Sequence, residues 1–175
     1  LHKPVGYVTT LSDDRGRSTI SELLKGVPCR VYPVGRLDMY SDGLLLCTDD
    51  GELTNRLTHP SHEVPKVYLA TIGGKLTGAE IRSLGESIEL DGQMTKPVET
   101  NRIVDCTYRG NPATVVQFTL YEGRNRQIRR MCEAHEKKVY ALTRIQMGGV
   151  ELGTLPCGKW RYLTETEIAS LRGKD

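Results

Sequence analysis

The chain has 175 residues, 38% of them hydrophobic and 26% charged, an ordinary soluble globular composition that excludes disordered and collagen-like classes. A net charge of +2 is too small to point to nucleic acid by itself; where the charges sit matters more. No apolar run is long enough to span a bilayer, and the opening LHKPVGYVTT lacks the charged lead and apolar stretch of a secretory signal.

Residues 4–10 (PVGYVTT) are rich in β-formers and predict a strand. SDDRGRS reads as a polar turn, after which Ser18 is placed to cap a short helix, TISELLKG, that Gly26 ends. VYPVGRL predicts extended chain, with Pro33 at a strand start or edge. GLLLCTD reads as a compact apolar strand and DGELTNRLTHP as a helix capped by Asp50 and followed by Pro60. KVYLATIGG alternates like a strand, and TGAEIRSLGES is a helix capped by Thr77. ESIEL, PVETNRIVDC and ATVVQFTLYE are strand-like. NRQIRRMCEAH has the strongest helical period, with Ile128, Met131 and Cys132 at i, i+3 and i+4. KVYALTRIQMGGVEL and KWRYLT return to extended chain, and TETEIASLRG closes with a helix. Many strands with interspersed, non-alternating helices indicate an α+β fold. No Gly-rich phosphate loop follows a strand, which disfavours a nucleotide-binding α/β fold.

The five cysteines, Cys29, Cys47, Cys106, Cys132 and Cys157, are scattered and include no C-x-x-C pair. Neither a disulfide framework nor a zinc site is expected. The thiols read as small buried hydrophobes in a reducing cytosol.

Two constellations carry chemistry. In VGRLDMYSDGLLLCTDDG, Asp38 stands between two apolar stretches with Gly35 and Gly43 on either side. Arg36, two residues earlier, shares its direction in a locally extended chain, so the two side chains can pair or share a ligand. Spacing alone favours an Asx-turn for Asp38 and does not choose it over Asp42, although Asp49 and Asp50 suit turn and cap positions better. In YEGRNRQIRRMC, four arginines (Arg124, Arg126, Arg129 and Arg130) crowd one segment, with Arg126 and Arg130 one turn apart. Such a stripe suits phosphate, because each guanidinium offers a planar fork to its oxygens. The bland alternative is a solvated helix with Arg129 paired to Glu133.

GRLDMYSDGLLLCTDDG resembles the GRLD-x-x-[ST]-x-GLLLLTNDG motif of the RsuA/RluB/RluE/RluF group of bacterial ribosomal RNA pseudouridine synthases, and EGRNRQIRRM is similar to that group's EGRNRQVRRM. KVYLA resembles its K-x-Y-x-V strand, LHKPVGYV its NKP-x-G start, and GGVELGTLPCGKWRYLTETEI its ending, so the resemblance runs across nearly the whole chain. Departures are His2 for Asn, Cys47 for Leu, Asp49 for Asn, and His135 where a small or apolar residue is commoner.

The resemblance implies a catalytic domain over residues 1–175, preceded in the full protein by an S4 RNA-binding domain. The fold implied is that of the pseudouridine synthases: α+β, a mixed and mostly antiparallel central sheet flanked by helices, two lobes around a basic cleft. It makes Asp38 the catalytic carboxylate, Arg129 its cationic partner, and Tyr68 a catalytic ring that stacks on the target uracil and helps move a proton. Ile128 lines the uracil pocket, while Arg36, Lys66, Arg124, Arg126 and Arg130 bind the RNA. Lys3 meets either RNA or a structural carboxylate. The expected reaction turns one uridine of ribosomal RNA into pseudouridine. Likeness of HPSHEVPKVYLA and GKWRYLT to the RluB type places that uridine in 23S rRNA. No metal or cofactor is expected, and the partner is an rRNA stem-loop met by a cytoplasmic monomer. Rival readings are a 16S rRNA synthase, a non-catalytic RNA-binding module of ribosome assembly, and a hydrolase that pairs Asp38 with Asp42.

Overall fold

The structure, a computed structural model, describes residues 1–173; residues 174 and 175, to which the domain reading extends, lie outside the described residues. The chain divides into two compact units. Leu1–Val64 and the chain from Thr143 onward form unit 1, and Pro65–Leu142 forms unit 2.

The first part of unit 1 holds β1 (His2–Lys3), β2 (Tyr32–Pro33), β3 (Asp42–Leu44), β4 (Cys47–Thr48) and helix α1 (Gly51–Thr58). Unit 2 follows with β5 (Lys66–Gly73), α2 (Gly78–Leu84), β6 (Glu89–Leu90), β7 (Gln93–Met94), β8 (Glu99–Tyr108), β9 (Asn111–Leu120) and α3 (Gln127–Ala134). Strand β10 (Val139–Met147) has residues in both units; β11 (Val150–Glu151) and α4 (Glu165–Leu171) complete unit 1.

In unit 1, β1 runs antiparallel to β3, β3 parallel to β10, and β10 antiparallel to β11. In unit 2, β5, β9 and β8 form an antiparallel ladder in which Tyr68 faces Phe118 and Lys66 faces Leu120. Strand pairing is therefore mixed and mostly antiparallel, and the fold is α+β as expected.

Helix ends follow the sequence. Asp50 accepts a hydrogen bond from Leu53 N (3.0 Å) and caps α1, whose Leu53 and Leu57 are buried one turn apart. Thr77 with Glu80 and Thr164 with Glu167 form reciprocal capping boxes on α2 and α4. Each unit has its own core. Val34, Leu44, Leu53, Met147 and Val150 anchor unit 1, and Ile72, Val116, Phe118, Ile128 and Met131 anchor unit 2.

Five expectations change. Residues 4–10 are no strand: Pro4 offers no N–H, Gly6 turns the chain at φ +95°, and only Val8 makes a bridge, to Thr19. The helix expected at 19–26 is a single 3-10 turn over Ile20–Glu22, entered from Thr19 rather than Ser18. GLLLCTD splits into β3 and β4 because its two halves pair with different strands. KWRYLT is irregular, fastened by Trp160 Nε1 to Lys25 O (3.4 Å) rather than by a ladder. Of the cysteines only Cys132 is buried; Cys29 and Cys157 are exposed.

Candidate functional site

Asp38 sits on a turn of unit 1 that is pinned from two sides. Thr9 Oγ1 donates to Leu37 O (2.6 Å) and accepts from Leu37 N (3.2 Å). Ser41 N donates to Asp38 O (3.0 Å), and Gly6 N donates to Met39 O (2.8 Å). The backbone on both sides of Asp38 is thus held by bonds that do not involve its carboxylate, as a loop that must present a side chain requires. Arg36 is exposed on the same turn.

Two other acids of this stretch have structural partners. Thr143 Oγ1 donates to Asp42 Oδ1 (2.5 Å), Asp50 caps α1, and Asp49 is exposed. Asp42 is therefore a structural acceptor between β3 and β10, which removes the support for a paired-carboxylate hydrolase.

The side chain of Lys3 is fully buried, which sets it inside the protein rather than on a surface open to RNA. Its Nζ donates to Pro4 O (2.8 Å). Burial pushes its ammonium down to about 8, while the Asp38 and Asp42 carboxylates act to keep it charged and Arg144 opposes them. Arg144, 2% exposed, donates from Nε to Leu44 O (2.8 Å). Gly43 makes this close packing possible: a Cβ there would lie 2.2 Å from Arg144 O, and its φ of +112° suits no other residue. The sequence reading missed Arg144, whose signal was a lone cation inside an apolar strand.

A separate apolar cavity of about 240 Å³ in unit 1 is lined by Leu24, Val27, Leu44, Leu46 and Trp160, and Asp38 is not among its walls.

In unit 2, Tyr68 packs against the core cluster that contains Ile128 and Met131. Ile128 is 3% exposed, so its main contacts are with the core. Lys66 reaches the loop before α3, its Nζ lying 3.7 Å from where a Cβ on Gly123 would be. That loop is locked by two residues the sequence reading passed over. Gln127, buried, donates from Nε2 to Glu122 Oε1 (2.9 Å) and accepts from Arg124 N (3.2 Å), and Glu122 also takes Lys96 N (2.8 Å).

The four arginines divide into two pairs. Arg124 donates to the carbonyls of Leu90 and Gln93, and Arg130 makes a two-pronged ion pair with Asp91 (2.8 and 2.9 Å). Arg124 thus fastens the β6–β7 hairpin to the loop before α3, and Arg130 fastens it to α3 itself. Arg126 enters α3 in a left-handed conformation (φ +50°) and, with Arg129, Lys137, Lys138, Glu133 and Glu136, lines a groove of about 510 Å³. The predicted phosphate stripe of Arg126 and Arg130 on one face is thus split, because Asp91 draws Arg130 to the hairpin.

Residues 1–134 match the family model described as RNA pseudouridylate synthase. The chain belongs to the RNA pseudouridylate synthase family. An RNA pseudouridine synthase of Aquifex aeolicus (strain VF5), described as uncharacterized, is 44% identical over 172 residues, 98% of this chain and 68% of its own length. The ribosomal large subunit pseudouridine synthase B of Bacillus subtilis (strain 168) is 38% identical over 98% of this chain and 70% of its own length. A crystal structure of a pseudouridylate synthase superposes with a TM-score of 0.84 at 34% identity, covering 98% of this chain and 71% of that one. A pseudouridine synthase is an isomerase: the chain converts uridine to pseudouridine in RNA. No helix among the described residues is long and apolar enough to cross a membrane.

Proposed function

We propose that the chain isomerises one uridine of 23S ribosomal RNA to pseudouridine, acting as a cytoplasmic monomer on a stem-loop, with Asp38 as the catalytic carboxylate. The observation that carries this reading is the turn itself. Asp38 is presented from backbone fixed by Thr9 and Ser41, while the neighbouring acids Asp42 and Asp50 are taken up in structural bonds.

The chemistry asks for one ionised carboxylate. The C1′–N1 bond of uridine breaks, the uracil turns, a C5–C1′ bond forms, the C5 proton leaves to solvent, and N1 takes up a proton. Asp38 serves either by attacking C1′, as in retaining glycosidases, or by taking the C2′ proton. Both routes need the charged form, and Lys3 is a cation whose own titration feels that charge. Tyr68 and Arg129 keep the roles that the resemblance assigns them. Extruding the target base costs about a few kcal/mol. Stacking on Tyr68 returns roughly 1–3 kcal/mol, and Arg126 and Lys66 contribute through phosphates.

The 23S target is supported by the relative whose name specifies the large ribosomal subunit. It is tested by incubating the chain with separate 16S and 23S transcripts and mapping pseudouridine by carbodiimide-dependent primer-extension stops. A new stop in 23S alone is expected; stops confined to 16S would overturn the assignment.

A further inference from the structure

At one end of the unit 2 ladder, four side chains form a column that the reaction does not use. The rings of Tyr108 and Tyr140 are stacked, 5.1 Å apart and 7° from parallel. The Arg109 guanidinium lies 5.3 Å from the Tyr108 ring centre, and the Lys138 ammonium lies 6.0 Å from that of Tyr140. Cation, ring, ring and cation therefore follow one another, with both cations exposed and both rings half-buried.

The column is built into the backbone. Tyr108 and Asn111 face each other across a two-residue turn, Arg109–Gly110, in which both residues have positive φ (+49° and +83°). That is the tight hairpin whose twist matches the strands. Arg109 accepts a conformation that disfavours its side-chain type, and the result places its guanidinium on Tyr108. On the other side, Gly73 makes room for Tyr140: a Cβ at Gly73 would lie 2.7 Å from Tyr140 Oη. Gly73 N donates to Lys138 O (2.9 Å), which fixes the start of β10 beside it.

Lys138 also lines the groove that holds Arg126, Arg129 and Lys137. Two carboxylates face that groove, Glu133 and Glu136, and Lys137 is taken by Glu80 at 2.5 Å. The cations of the groove still outnumber its acids, and Lys138 belongs both to this groove and to the set of stacked rings and cations that includes Arg109.

We propose that the Arg109–Tyr108–Tyr140–Lys138 column is an accessory contact for the phosphate backbone of RNA outside the target nucleotide, continuing the groove of Arg126 and Arg129. It rests on the RNA-isomerase reading above. Spaced, exposed point charges meet a chain of phosphates, and cations already resting on ring faces lose less freedom when a phosphate arrives. A protein partner of this surface would instead need an acidic face, and binding to it would leave the RNA titration untouched.

The test titrates the 175-residue chain with a fluorescein-labelled oligouridylate 20-mer between 50 and 200 mM NaCl, so that no turnover is required. The Arg109→Ala/Lys138→Ala variant is expected to lower the slope of log K against log salt by about 1.4, at roughly 0.7 per single-strand phosphate contact. The milder single variants Arg109→Gln and Lys138→Gln are each expected to lower it by about 0.7, which keeps the test open if the double variant fails to fold. Lys25→Ala, an exposed lysine of unit 1, serves as the control and should keep the wild-type slope. A wild-type slope in the column variants, an equal drop in Lys25→Ala, or a wild-type chain that does not bind the oligomer would each overturn the proposal. Failure of the isomerase reading would show separately, as absence of pseudouridine in rRNA with this slope difference intact.

Discussion

Lys3 shows what one residue can record about its surroundings. Burial holds its ammonium down to about 8, against 10.5 for an unburied lysine. Between those two values the unfolded chain binds a proton that the folded chain has released. Stability therefore rises with pH across that window, and it is flat on this account below about 8, where both states are charged. The full difference corresponds to on the order of 3 kcal/mol. Urea unfolding of the wild type and Lys3→Met from pH 7 to 11 checks it. The wild type should gain on the variant between pH 8 and 10.5, and a constant gap would contradict the account. The sequence could not choose between RNA and a carboxylate for Lys3, because burial, which sets it inside the protein, is decided by the fold. The choice of Asp38 rests on its motif, since spacing alone left Asp42 equally eligible. The Thr143 hydroxyl that occupies Asp42 is 101 residues away in sequence.

At the scale of elements, local rules were read correctly where one residue type decides the outcome. Asp50 and Thr77 start their helices, and alternation identified β5. Residues 4–10 were misread because β propensity describes packing against a neighbouring strand, and Gly6 turns this segment away from one. The β6–β7 hairpin was half-seen. Its second strand, Gln93–Met94, carries no strand signal of its own and is held by Arg124 and Arg130 from more than 30 residues on. Asp91→Ala removes the two-pronged contact to Arg130. Hydrogen exchange should then quicken at the amides of residues 90–94 while α3, anchored by Ile128, Met131 and Cys132, keeps its protection. Unchanged exchange in the hairpin would mean that Arg124 alone fastens it.

For the molecule as a whole, each unit carries a core assembled from strands and helices of its own. The α+β class was legible because strand-like runs and helical periods do not alternate strictly along the chain. The division at residues 64 and 143 was not legible, since β10 reads as one unbroken strand and no composition shift marks the passage. Membership of the RNA pseudouridylate synthase family rests on a match over residues 1–134 and on relatives that align over nearly all of the chain. The role of Asp38 as the carboxylate rests on the motif it shares with the family, and that is the claim most open to direct test. The wild-type chain and Asp38→Asn should be incubated with rRNA labelled with tritium at uridine C5. The wild type should release tritium to water with the RNA chain intact and no free uracil, and the variant should bind the RNA yet release none. Tritium release by Asp38→Asn near the wild-type rate would contradict the account.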